Sequence, residues 1–514
     1  MKKLIFFFVL FLANYVYSQH NLISTHPFFR DKLFSTANNT PYCGNAMLPI
    51  TESSYDLQRY TKDTTVHYYE FAEVLFKKHI VEVKGKDYFF TISPVVEFSV
   101  GIDPIVNSKK MLFQNTRGFL VEGDLSKNFS FSTTLYENQA RFSSYESNYI
   151  DQHGEFYIKP NGYVLDNGVV PGAGRTKPFV HLDDYDYAYA IGNIIYHPNR
   201  KLDIILGNNQ QFIGSGYRSL LLSDNSCGAP YLKVNYNISK RWSFSYLRAR
   251  NMNLVRKKAT TTVESFYQPK GLSVNYLSFQ ANEKLNISLF EGAIWQKGDS
   301  LSTGRVNAVF YNPVPFIAAF LKDSTCYATN GLNVNWHVNY RIRFYAQAVI
   351  GNFNAKQYGL QLGYRGNNYF NIKNLYTQIE YNYVSPKMYR ASFYRMSFSN
   401  FNLPLAHPKG NGFHEIVLRA GWEYQRCYAE IKSITYFLAQ NNPTDLLPVP
   451  VVSTISNDKI FHNNLEIGYR MNKKLNLCFF GSITYRAQTG TSNQSNLLFQ
   501  TGMKTSLISH YNDY

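Results

Sequence analysis

The sequence predicts an all-β fold, an antiparallel barrel that crosses a membrane with a short helical piece ahead of it. Three observations predict it. Apolar and polar residues alternate with period two in many segments, short polar turns alternate with long connections, and an export signal precedes a chain without an apolar stretch of spanning length. Of β architectures, only a closed barrel crosses lipid with every backbone N–H and C=O paired.

The export signal comes first. Lys2 and Lys3 precede an apolar run from Leu4 to Ala13, followed by Val16-Tyr17-Ser18 before Gln19. This order of charge, apolar core and small residue predicts a signal peptide over 1–18. The run is too short to cross a bilayer, and no Cys follows the expected cut to carry a lipid anchor. The expected location is therefore the outer membrane. A mean hydropathy of -0.30 ordinarily suggests a soluble protein, but alternation hides the apolar residues of a barrel wall.

Residues 19–85 read as a periplasmic or plug segment. Its first part, 19–63, reads as irregular. Over 64–79, Tyr68, Phe71, Ala72, Leu75 and Phe76 cluster at helical spacing, with Lys77, Lys78 and His79 toward the C-terminal end. That pattern predicts a short amphipathic helix capping the periplasmic mouth, with a strand as the alternative.

The barrel is expected over 86–514. Leu332, Val334, Trp336, Val338 and Tyr340 share one face against Asn333, Asn335, His337 and Asn339. Leu475, Leu477, Phe479, Gly481, Ile483 and Tyr485 do the same near the end of the chain. The final segment sets Phe499, Thr501 and Met503 against Gln500, Gly502 and Lys504, then runs into a tail finishing on an aromatic. Period two is the strand signature. Short turns at 126–128, 198–200, 239–241, 282–284, 425–426 and 472–474 alternate with long connections such as 143–185, 251–269, 385–413 and 438–460. This asymmetry separates periplasmic turns from extracellular loops and fits about 16–20 strands. Aromatics are 17% of the chain, including 42 Tyr and 39 Phe, an excess suited to interfacial girdles. A secreted Tyr-rich sandwich or propeller is the competing fold.

With apolar faces toward lipid, Arg341, Arg343, Arg365, Arg419, Lys432, Arg470 and Arg486 line the lumen with Glu380, Glu415, Glu423, Glu430 and Glu466. They are either a ligand-facing lining or ion pairs that stiffen the wall. The formal charge of +17 favours acidic polysaccharide or lipid phosphate as partners. No nucleic-acid module is recognisable. Cys43, Cys227, Cys326, Cys427 and Cys478 are far apart and odd in number, so they form neither a disulfide framework nor a zinc site. The sequence implies no cofactor and no metal.

Strand parity sends three glycine-containing segments, 171–175, 207–219 and 405–413, to the outer mouth or into the lumen. The candidate ligand-binding residues there are Arg175, Phe212, Gly214, Gly216, Tyr217, Arg218, His407 and Lys409. Rings beside guanidinium and amide donors suit sugars and carboxylates. The plainer reading makes Gly214 and Gly216 a tight inward plug, pairs Arg218 with Asp224, and leaves His407 as a turn residue before Pro408.

The run FIGSGYRSLLLSDNS (Phe212–Ser226) resembles the signature of Wzi-type capsule-assembly barrels. It is more similar still to the RemB-type gliding-motility proteins of the Bacteroidetes. NTRG (Asn115–Gly118), ENQARF (Glu137–Phe142), PGAGR (Pro171–Arg175), YGLQLG (Tyr358–Gly363) and LPLAHPKGNGFHE (Leu403–Glu415) extend the resemblance along most of the chain. Asn208, Asn209 and Ser215 depart from it, standing where the family often carries His or Asp. The resemblance implies an outer-membrane barrel of about 18 strands, partly plugged. It also implies surface polysaccharide as ligand, a role in capsule attachment or gliding, and capsule-export or gliding machinery as partners. An outer-membrane porin or transporter is the alternative. Catalysis is not expected, because neither Gly-x-Ser-x-Gly nor His-Glu-x-x-His occurs and His414-Glu415 lacks the second His.

Overall fold

The alternating segments form the wall of a closed antiparallel barrel of 18 strands in the computed structural model. The structure describes residues 22–36, 46–50, 69, 73, 76–106, 110–159, 162–179, 184–256, 267–296, 306–320, 326–339, 341–368, 372–438, 458–490, 493–505 and 511–514. The predicted signal peptide lies outside them.

In chain order the wall comprises β1 Tyr88–Ile102, β2 Leu112–Leu125, β3 Phe129–Arg141, β4 Tyr185–Asn199, β5 Leu202–Asn209 and β6 Ala229–Asn237. Then follow β7 Trp242–Asn253, β8 Gln268–Gln280, β9 Leu285–Gln296, β10 Cys326–His337, β11 Ile342–Gly351 and β12 Tyr358–Asn367. The last third is β13 Leu375–Val384, β14 Phe413–Tyr424, β15 Cys427–Leu438, β16 Lys459–Asn472, β17 Leu477–Thr489 and β18 Gln494–Lys504. Each strand pairs with the next, and β18 returns to β1 in the register Phe499↔Ile102 to Lys504↔Glu97. Closure removes the exposed strand edges that lipid cannot satisfy.

Alternation decides which side chains meet lipid. Leu332 and Trp336 are exposed on β10 while Asn333 and Asn335 between them are buried. Ile194, Leu206, Leu362 and Ile467 are exposed in the same way. Near the short turns, aromatic pairs ring the outside: Phe129 with Tyr196 at 4.6 Å, Trp242 with Phe279 at 4.4 Å and Trp422 with Tyr424 at 6.0 Å. Tyr358 and Tyr383 pair near the opposite rim. These are the interfacial positions where ring and hydroxyl are both satisfied. The connections β2–β3, β4–β5 and so on to β16–β17 turn at the end where β1 begins and β18 finishes, while the other end carries the long connections and two short ones, β11–β12 and β17–β18. No described helix is long and apolar enough to cross a membrane.

The lumen is filled. Helix α1 (Pro27–Thr36) stands inside near the short-turn end, where Asp31 accepts from Arg365 and Arg419 at 2.9 Å each and Lys32 donates to Glu423 at 2.7 Å. This corrects the reading of 19–63 as irregular. Within its Arg-Asp-Lys run, Asp31 and Lys32 meet charged wall residues while Arg30 turns to the plug, so no polar face repeats at helical spacing. Most of the helix expected over 64–79 lies outside the described residues. Of it, Glu73 and Phe76 are helical, and Lys77 N–H donates to Glu73 O at 3.0 Å.

Met47–Leu48 pairs antiparallel with Phe212–Ile213 inside the barrel. The wall residue Lys233 holds both segments, donating to Met47 O and Pro49 O at 3.0 Å and to Gln211 Oε1 at 3.2 Å. The connections 210–228 and 385–412 fold inward, and the main apolar core lies between them and the wall, with Leu220, Leu221 and Leu222 against Val274, Phe290 and Val349. Helix α2 (Ser144–Gln152) covers the outer end, starting with a capping box between Ser143 and Glu146. Cys227, Cys427 and Cys478 are free thiols.

Candidate functional site

The connection from β5 to β6 builds the centre of the plug. Gly214 has φ +121°, a left-handed conformation that other residues resist, and Gln347 Nε2 occupies the space a Cβ would need. At Gly216 a Cβ would meet Arg218 O and lie 2.6 Å from Glu380 Oε2. The two glycines let the chain reverse against the wall, and the wall then grips it. Glu380 accepts from the backbone N–H groups of Tyr217 (2.7 Å) and Arg218 (3.1 Å), and Gln347 Oε1 accepts from that of Leu220 at 2.8 Å.

Arg218 is the hub. It is 0% exposed. Its Nε donates to Glu415 at 3.1 Å, and Nη2 donates to Asp513 Oδ1 at 2.7 Å and to the Tyr436 hydroxyl at 2.8 Å. The pairing with Asp224 expected from the sequence is not made; Asp224 instead accepts from the Tyr511 hydroxyl at 2.7 Å. Asp513 also accepts from Lys432 at 2.7 Å and Tyr217 at 2.5 Å. Burial raises the Asp513 carboxyl, but Arg218 and Lys432 outweigh it and hold the group well below the usual carboxylate range.

His407 closes the cluster from the 385–412 connection. Its Nδ1 accepts from Lys409 N–H at 3.1 Å, so Nε2 carries the proton given to Glu415 at 2.7 Å. Burial lowers its pKa and keeps the ring neutral. Phe212 is equally buried, beneath the Arg30 guanidinium at 3.8 Å. Phe212, Arg218 and His407 are thus enclosed by protein and offer no surface to a large external ligand.

Arg175 and Lys409 sit nearer the outer rim. Arg175 pairs with Glu155, donates to the Tyr267 hydroxyl at 2.9 Å, and lines a cavity of about 490 Å³. Lys409 is half-buried, with Nζ 6.0 Å from the Tyr436 ring; burial pulls it down to about 8. The three glycine-containing segments do meet. Gln210 Nε2 donates to Gly172 O at 3.0 Å, and Arg218 and His407 share the Glu415 carboxylate.

Beside the plug a second cavity, of about 520 Å³, follows the wall from Glu423 and Lys504 near the short turns to Arg141 and Ser143 near the long loops. Its charges are largely paired: Lys504 with Glu466 at 2.7 Å, Arg470 with Glu423 at 2.8 Å, and Arg419 with Asp31 and Glu430. The lumenal charges therefore stiffen the wall and anchor the plug. Among the described residues, no group of His, Cys, Asp and Glu has metal-binding geometry.

Sequence reasoning missed two contributors. Arg30 donates to Tyr217 O at 3.4 Å and to the Tyr511 hydroxyl at 3.2 Å. Residues 511–514 run back through the lumen, where Tyr514 stacks on Tyr149 at 3.7 Å and Asn512 O accepts from Tyr145 at 2.9 Å. A terminal aromatic resembles a barrel-closing residue, and the only signal of a different fate was its distance beyond the last clean alternation.

This architecture defines an outer-membrane β-barrel with an occupied lumen. No family model and no curated protein matches the chain. Among solved structures, Wzi of Escherichia coli, an outer-membrane protein involved in group 1 capsule assembly and described as a carbohydrate-binding β-barrel, has a TM-score of 0.55 at 11% identity. That likeness covers 95% of this chain and 99% of that one. OprD of Pseudomonas aeruginosa has a TM-score of 0.42 at 9% identity over 80% of this chain and 94% of that one. For OccAB4 of Acinetobacter baumannii the values are 0.42 and 10%, over 82% and 98%. At this identity the likeness to Wzi is one of fold.

Proposed function

We propose that the protein is a non-catalytic outer-membrane barrel that binds surface polysaccharide, capsular or exported, and acts in capsule attachment or gliding motility. One observation carries the reading: the lumen is packed with inward-folded connections, which bring Arg175 and Lys409 toward the outer rim. The fold shared with a carbohydrate-binding barrel supports it, as do the capsule-type and gliding-type motifs in the sequence. In this reading Arg175 and Lys409 face the ligand. Phe212, Gly214, Gly216, Tyr217, Arg218 and His407 hold the plug that presents them. Capsule-export or gliding machinery is the expected protein partner.

A strain deleted for this chain is expected to lose most of its retained surface polysaccharide or its colony spreading. The full-length chain restores the lost property, and Arg175→Ala with Lys409→Ala restores it poorly despite normal amounts of folded barrel. Undiminished polysaccharide and spreading in the deletion strain would reject the function. Full restoration by the double variant would reject only the two ligand residues.

A further inference from the structure

Strand β4 rises past its neighbour. It pairs with β5 only up to Asn208↔Gly192, and Lys177–Pro178 meet it again at Asp186 and Tyr185. On its other flank β3 pairs with it throughout, including Glu137↔Ala188 and Leu135↔Ala190. The stretch from Tyr187 to Ile191 therefore has no strand partner on the β5 side. The cavity of about 490 Å³ fills that gap, closed from behind by Gly172–Arg175, Gly228 and Phe401. Residues of both faces line it: Tyr187 and Tyr189 from the inner face, the exposed Ala188 and Ala190 from the outer. The barrel wall is breached here.

The outer surface fixes the height of the breach. Going up β4 and β3, the outward residues are Ile194 with Phe131, Ala190 with Leu135, then Ala188 with Glu137 and Asp186 with Gln139. Ile194 and Leu135 are exposed apolar residues (58% and 44%), and beside Glu137 the register places Arg117. The apolar band ends between Leu135 and Glu137, so the opening lies level with the lipid headgroups. Its lining mixes charges, Arg175 and Lys177 with Glu137 and Asp186, which disfavours a bare polyanion. Tyrosine rings next to the Asn208 amide and charged groups suit a sugar ring.

We infer that this opening is a lateral docking site for the sugar headgroup of a glycolipid in the outer leaflet, whose acyl chains rest on Ile194 and Leu206 below it. The inference rests on the glycan-binding reading but needs no polysaccharide retention to be tested.

The test places a photo-crosslinking residue at Ala190 in the full chain in its own outer membrane, with Leu360, an exposed wall residue on a distant strand, as control. The expected result is a product carrying both sugar and acyl chains, enriched about tenfold at Ala190 over Leu360. Gly174→Trp should abolish it: Gly174 lies outside the left-handed region, and a Cβ there meets only Ala188 O at 3.6 Å. Ala188→Phe, which blocks the mouth from outside, serves if that variant does not fold. Equal yields at the two positions, a product without acyl chains, or no product would each overturn the site. Loss of capsule or spreading phenotypes would bear on the proposed function alone.

Discussion

Arg218 shows how a single buried cation organises this protein. Arg218 and its partners Glu415 and Asp513 are all 0% exposed, and the three lie on different parts of the chain. Removing one member of such a group leaves the others charged and unpaired in a poor solvent, which costs about 3–5 kcal/mol. Arg218→Ala is therefore expected to free the 210–228 connection while the wall persists. Limited proteolysis reads this directly: cleavage within 210–228 in the variant, none in the parent, and unchanged heat-modifiable migration of the barrel. Arg218→Lys keeps the charge but loses the fork, and should fall between the two. Equal resistance of Arg218→Ala and the parent would remove Arg218 from its central place. None of these partnerships was legible in the sequence. Asp224 is six positions away and invites a local pairing, whereas Glu415 is 197 and Asp513 295 positions away. Only the inward fold of the connection brings them together.

Strands and helices differed in how openly the chain announced them. A wall strand has lipid on one side and polar lumen on the other, so its two environments print a period of two, as in Leu332–Trp336. Helix α1 has unlike neighbours: Phe29 and Leu33 lie in an apolar cluster, and Asp31 and Lys32 lie on charged wall residues. With Arg30 on the plug and Asp31 and Lys32 on the wall, charge falls on two sides of a short helix, the amphipathic stripe is lost, and the helix went unread. The same geometry makes Asp31 its pin, since one carboxylate serves Arg365 and Arg419, and hydrogen bonds to charged groups contribute about 1.5–3 kcal/mol each. Asp31→Ala should speed amide hydrogen exchange over residues 27–36 at least about tenfold, with β12 and β14 unchanged. Unaltered exchange in the helix would mean that its apolar contacts alone hold it.

For the molecule as a whole, the decisive fact is that a wide barrel has been closed from within. Barrels of 16–18 strands ordinarily enclose an aqueous channel, and this wall has 18 strands. Among the described residues, five pieces occupy the space: α1, residues 46–50, the 210–228 connection, the 385–412 connection and residues 511–514. They are tied to each other as well as to the wall, because Arg30 meets Tyr511, Tyr511 meets Asp224, and Asn225 meets Pro404. A cavity of about 520 Å³ remains beside them, bordered by paired charges. Among the described residues no channel of porin width remains, so the purified protein in planar bilayers should show no large, stable ohmic steps. Replacing 210–228 by a short Gly-Ser link removes the piece that the other four lean on, and such steps should then appear. The comparison separates the two readings of the barrel. Steps of equal size in parent and variant would mean that the parent already conducts, restoring the porin alternative. Silence in both would mean that α1 and the 385–412 connection seal the lumen without the central loop.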